Sequence, residues 1–196
     1  MKKRFSTWIR AIRNLRRPSA SANRRRLAAL GIDPARISVR RALPADAGAI
    51  ARVHVQAFAE THGGLNPPTF ALRHRQWTEL LHQTDRFCYL AENERGEVAG
   101  FASGNGYFDP ALPEYDGQLN KIYLLQTYQR LGIGRQLLLA VARRLYDDGA
   151  RAMLLFGEAE NPSCFFYEKM GGVRLLSPDG SFHGGYGWPS LASLLR

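Results

Sequence analysis

The sequence predicts an α/β domain built on a mixed sheet. Three patterns carry that prediction. Residues 119–125, 132–148 and 152–156 read as strand, helix and strand, which is the length of a crossover joining two parallel strands. Residues 87–90 and 98–102 are strand-like and are joined by a polar stretch containing Gly96, a hairpin pattern that makes antiparallel neighbours. Apolar residues at helical spacing precede the hairpin and recur within the crossover.

Taken in order, residues 37–40 suggest a short strand, and Pro44 and Asp46 open a helix reaching Phe58, with Ile50, Val53, Val55 and Phe58 apolar. His62, Gly63, Gly64, Pro67 and Pro68 break the chain. A second helix over 70–83 carries Leu72, Trp77, Leu80 and Leu81. The hairpin follows, and then the crossover. In the crossover helix Ile133, Leu137, Leu138, Val141, Ala142 and Leu145 form one face, and Gly149 is a natural stop. The continuous apolar run 152–156 suits a central strand covered on both sides. Asn161 before Pro162 reads as a cap and first turn of a helix reaching Met170, ended by Gly171 and Gly172. Residues 173–176 and 186–188 are strand-like.

The chain has 196 residues, 45% hydrophobic and 22% charged, which is ordinary usage for one domain with a hydrophobic core. No apolar run is long enough to span a bilayer as a helix. Two cysteines, Cys88 and Cys164, cannot staple a disulfide scaffold, and no Cys/His cluster has zinc-ligand spacing. Charge is uneven. Residues 1–36 hold eleven Lys/Arg and one acid, Asp33, so they carry the whole formal net charge of +10. Residues 37–196 are neutral on balance, so the basic composition does not characterise the domain. We therefore divide the chain into a basic, flexible extension over 1–36 and a domain over 37–196. Phe5, Trp8, Ile9, Ile12 and Leu15 follow a basic amphipathic pattern, and residues 18–22 read as a linker. Three readings compete for the extension: contact with anionic lipid or nucleic acid, a solvated tail, or a natural start further downstream. No secretory pattern is present, and the expected setting is cytoplasmic. A second copy of the chain is left open as a partner.

Gln129, Arg130, Leu131, Gly132, Ile133 and Gly134 lie between the strand and the crossover helix. Two glycines allow a ligand close to the backbone, and a helix's first turn offers unpaired N–H groups carrying partial positive charge. Such a turn suits a diphosphate, with Arg130 and Arg135 at its rim. The alternative is that the glycines only shape a tight helix start. The chain lacks the third glycine of a dinucleotide fingerprint, since Leu137 stands there, and it lacks the Gly-Lys-Ser/Thr of a P-loop.

Gln-x-x-Gly-x-Gly after Ile122-Tyr123-Leu124-Leu125 resembles motif A of the GNAT N-acetyltransferases. Asn161-Pro162 and the run from Phe165 to Gly172 are similar to that family's next motif, in the same order. The resemblance covers about 37–190. It implies a mostly antiparallel central sheet with one parallel β-α-β unit and helices on both faces. It further implies acetyl-CoA as cosubstrate, no metal, and an amine of a small molecule or peptide as acceptor. Tyr123, Leu124, Leu125, the turn from Gln129 to Arg135 and Asn161 are then expected to hold the coenzyme. Tyr167 is expected to give a proton to the departing sulfur. From the residues alone, the favoured reading of Tyr167 is a helix-face residue packed on the sheet beside Phe165 and Phe166.

Acetyl transfer from a thioester to an amine needs positioned substrates, a stabilised oxyanion, a base for the amine and an acid for the thiolate. A phenol titrating near 10 stays protonated beside a thiol titrating near 8.5. Related sequences often carry Glu where Gln118 stands. Gln cannot take a proton but can orient substrate or water, so the base is Glu158, a water chain or neither. The last case describes an acyl-CoA-binding domain without turnover. The loops 59–70 and 104–117, carrying Glu60, His62, Tyr107, Asp109, Glu114, Tyr115 and Asp116, are expected on the acceptor side.

Overall fold

The computed structural model describes residues 18–62 and 68–196. Its helices are α1 (Ala20–Ala29), α2 (Ala47–His62), α3 (Phe70–Leu81), α4 (Ile133–Asp147), α5 (Cys164–Lys169) and α6 (Leu191–Leu194). Its strands are β1 (Ser38–Arg41), β2 (Arg86–Glu92), β3 (Val98–Gly106), β4 (Gly117–Leu124), β5 (Met153–Phe156), β6 (Val173–Leu176) and β7 (Phe182–Trp188). They form one sheet in the order β1-β2-β3-β4-β5-β7-β6. Among the described residues only β4 and β5 pair in parallel; every other pair is antiparallel.

Helix α4 lays its apolar face on one side of the sheet. Leu137, Leu138, Val141 and Leu145 are buried there with Leu119, Met153 and Leu155. Each such side chain contributes about 1.5–3 kcal/mol of burial. On the opposite side α2 and α3 bury Ile50, Val53 and Trp77 against Leu90 and Phe101. Tyr115 of the segment between β3 and β4 buries with Leu154, and Tyr107 and Leu112 pack against them.

Two features of β4 open a cleft. Ser103 pairs with Lys121 while Gly104 pairs with Leu119, so Asn120 is an extra residue in a bulge. The pairing with β5 covers only Gly117 with Met153 and Gln118 with Leu154. Past Gln118 the parallel strands make no further ladder pairs. The β5-facing edge of β4 is left for another extended chain, and Gln118 sits at the apex of the wedge.

The extension differs from the expectation. Residues 18–22 are not a linker: Ser19 accepts the Ala22 N–H at 3.1 Å and caps α1. Alanines favour the helix, Arg24, Arg25 and Arg26 face solvent, and Asn23 and Leu27 are buried. Leu27, Ile32 and Ile37 join the α4-side core. Packing therefore starts before residue 36, and the flexible-extension reading fails over 20–36. The amphipathic pattern over 5–15 lies outside the described residues. The Asn23 amide donates to the Gln126 and Gln129 carbonyls, both at 2.9 Å. Asn23→Ala orphans both carbonyls and is expected to lower unfolding stability by about 2 kcal/mol, measured by urea denaturation.

Candidate active site

Strand β4 ends at Leu124 and runs into a 3-10 turn, Gln126–Tyr128. Arg130 then takes φ 62 and Gly132 φ 87, both left-handed. For Arg130 that conformation costs on the order of 1 kcal/mol, and such outliers collect at binding sites. Gly132 caps α4 without a side-chain bond, and Gln136 N–H to Gly132 O closes the first turn at 3.2 Å. The N–H groups of Ile133, Gly134 and Arg135 precede that first internal bond, so the helix itself leaves them unpaired. A methyl on Gly132 would meet nothing within 4 Å, whereas one on Gly134 would lie 3.4 Å from the Phe166 ring. The two glycines thus serve different ends. A side chain at Gly134 would touch Phe166 of α5 at ordinary contact distance, while Gly132 faces open space and needs its positive φ.

The turn is braced. Besides Asn23, Glu60 accepts the Gln126 N–H at 2.7 Å, and the Gln129 amide donates to the Leu124 carbonyl at 3.0 Å. The Gln129 side chain is therefore spent on the turn. Ile133 is buried and Leu131 packs against the same core, so these residues offer a ligand only their backbone. Arg130 and Arg135 are exposed at the rim.

Tyr167 is buried on α5, with its ring 5.5 Å from Tyr186 and 6.4 Å from Trp188. Burial pushes its phenol well above the ordinary value, and nearby Cys164 and Tyr123 add to the shift. Tyr123 is raised too, mainly by burial, with Glu158 adding to it. Both phenols stay protonated. Asn161 is not a helix cap: its Oδ1 accepts the Ser163 N–H at 2.8 Å and its carbonyl the Cys164 N–H at 3.0 Å, a turn that delays α5 to Cys164. Cys164 is half-buried, and its single thiol hydrogen is shared between the Glu158 and Ala159 carbonyls, at 3.5 and 3.6 Å from the sulfur. These bonds fix the loop after β5.

Two residues expected on the acceptor side have structural duties. Asp116 takes the N–H groups of Arg151 and Ala152 at 2.9 Å, tying the start of β4 to β5. Glu60 braces the turn. Among the described residues no group of His, Cys, Asp and Glu could hold a metal, and no helix is long and apolar enough to cross a membrane.

Sequence reasoning missed a polar strip under α2 and α3. A methyl on Gly104 would meet Val141 of α4, so its neighbours Ser103 and Asn105 face the other way. Lys121 is the register partner of Ser103, and Arg86 that of Asn105. His54 lies beside them and accepts the Trp77 indole N–H on Nδ1 at 3.1 Å, with its ring 4.6 Å from Tyr123. Burial first, then the charges of Arg73 and Lys121, lower its pKa from 6.5 to about 3. The folded form therefore rejects a proton that the unfolded chain accepts below 6.5. Stability from neutral His54 is full above that pH and falls as pH drops through it. Between pH 7 and 5 the native chain is expected to lose about 2 kcal/mol more than His54→Gln, read from urea midpoints.

Comparison with known proteins decides the family. Residues 52–172 match the Acetyltransferase (GNAT) family. The chain belongs to that family. This acetyltransferase is 32% identical over 170 residues to YuaI of Bacillus subtilis (strain 168), named an uncharacterised N-acetyltransferase, with 81% of this chain and 96% of the relative covered. Its fold matches the PaiA N-acetyltransferase of Thermoplasma acidophilum, solved with coenzyme A, at TM-score 0.62 and 17% identity, covering 77% of this chain and 97% of that one. It also matches an aminoglycoside N-acetyltransferase solved with CoA, at TM-score 0.58 and 19% identity, covering 69% and 86%. The mixed, mostly antiparallel sheet expected from the sequence is the fold of these acetyltransferases.

Proposed function

We propose that the chain transfers an acetyl group from acetyl-CoA directly to an amine. The observation that carries this reading is the wedge between β4 and β5 with the braced, left-handed turn at its open end. The turn's fit to a diphosphate rests on the open space over Gly132, the left-handed Arg130 and the unpaired first-turn amides of α4. The amides of residues 130–135 hold the diphosphate, with Arg130 and Arg135 screening its charge. The free edge of β4 from Tyr123 to Leu125 pairs with the amide-bearing arm of the coenzyme, as an added strand would. The main-chain N–H near Leu124 meets the thioester oxygen and stabilises the charge that develops there. Asn161 touches the same arm.

The coenzyme supplies the acetyl group as a thioester. Tyr167 keeps its proton because it is buried, and gives it to the sulfur as the carbon–sulfur bond breaks. Gln118, at the apex of the wedge, orients the acceptor and takes no proton. Glu158 or solvent receives the amine's proton.

The test is a screen of amines with acetyl-CoA, following released CoA thiol. Acetylation of an amine with equal thiol release supports the reading. Binding of acetyl-CoA without release with any amine would favour the acyl-CoA-binding alternative that Gln118 suggests.

A further inference from the structure

Among the described residues the polar strip under α2 and α3 brings together three cations, none of them in an ion pair. Lys121 stands mid-strand, half-buried, beside Ser103; Arg86 stands two residue positions away on β2; Arg73 reaches in from α3. The charges of Arg73 and Arg86, after burial, push the Lys121 ammonium below its ordinary pKa. Like charges crowded in a half-buried place are unfavourable unless something offsets them. Among the described residues no carboxylate forms an ion pair with any of the three. Residues 1–17 and 63–67 contain no Asp or Glu, so none can come from them.

Two donors point the same way. The Nε of Arg73 is buried without a hydrogen-bond partner among the described residues, and so is the Oγ of Ser103, a residue only 2% exposed. Orphaned buried donors are rare, because each forfeits its bonds to water. The cluster lies across the sheet from α4, whose first turn forms the proposed diphosphate cradle. Coenzyme phosphate at that cradle therefore does not reach these donors.

We propose that the acceptor amine carries an anionic oxyacid group, carboxylate or phosphonate, which Arg73, Lys121 and Ser103 bind while Arg86 adds to the field. This rests on the acetyl-transfer reading and narrows it to amino-acid-like acceptors. A purely cationic amine is repelled by the cluster. The positive surroundings also disfavour a protonated amine, which suits a site where Gln118 replaces a carboxylate base.

The test uses the full chain and matched acceptor pairs: α-amino acids against the amines left by their decarboxylation, and aminoalkylphosphonates against the corresponding alkylamines. Acetyl-CoA binding is measured first by thermal shift. The anionic member of a pair is expected to be favoured at least about 100-fold in kcat/KM, and the better of the two anions names the group. Lys121→Met and Arg73→Gln are expected to raise the acceptor KM about ten-fold or more with the KM for acetyl-CoA unchanged. Each should also raise Tm, because it relieves repulsion that serves binding alone. A chain that binds acetyl-CoA and acetylates the uncharged-tail amine equally well overturns the inference and leaves acetyl transfer standing. A rise in the acetyl-CoA KM instead assigns the cluster to the coenzyme and also overturns it. A chain that neither binds acetyl-CoA nor acetylates either member overturns both.

Discussion

Tyr167→Phe is expected to cut turnover by about 10²–10⁴-fold while acetyl-CoA binds as before. The ring is packed between Tyr186 and Trp188, and Phe fills the same space, so folding should survive. What disappears is a phenol held protonated by burial. The departing thiolate then takes its proton from solvent. Thiol release measures the rate, and calorimetric titration the affinity. Undiminished turnover would remove Tyr167 from the chemistry and return it to the hydrophobic core.

Gly132→Ala is expected to weaken coenzyme binding by about 100-fold, more than its effect on folding explains. At φ 87 an alanine costs about 1–2 kcal/mol of backbone strain. A matched control is built into the same helix. Gly149, just past the end of α4, has φ 99, and its added methyl also meets nothing within 4 Å. Gly149→Ala should lose similar stability and no coenzyme affinity. At saturating coenzyme the native chain and Gly149→Ala gain stability in proportion to occupancy, about 2.7 kcal/mol at 100 times Kd. Gly132→Ala should gain far less. Equal gains in the two variants would mean that Gly132 serves only helix geometry.

Much of the fold was legible because burial writes itself in periodicity. The six apolar residues of the crossover helix, Ile133 to Leu145, are the buried face of α4. The hairpin was readable from Gly96, which takes φ 74. Helix α1 was not, because its two buried residues, Asn23 and Leu27, flank three exposed arginines and mimic a charge run. The Asn161 turn was mistaken for a cap because an Asn side chain can accept from either kind of backbone. The wedge depends on a one-residue bulge at Asn120 and on a parallel pairing that stops after Gln118; no local pattern encodes either. The cationic strip was hidden for a related reason. Arg73, Arg86, Ser103 and Lys121 come from one helix and three strands, and only register brings the strand residues onto one face.

The central claim is that backbone amides from Arg130 to Arg135 enclose the coenzyme's diphosphate. Calorimetric titration of the full chain with coenzyme A and with pantetheine, which has the same thiol arm and no phosphate, tests it most directly. The account predicts binding at least about 100-fold tighter for coenzyme A in the native chain, and a gap that largely closes in Gly132→Ala. Equal affinity for the two compounds, or an undiminished gap in the variant, would contradict it.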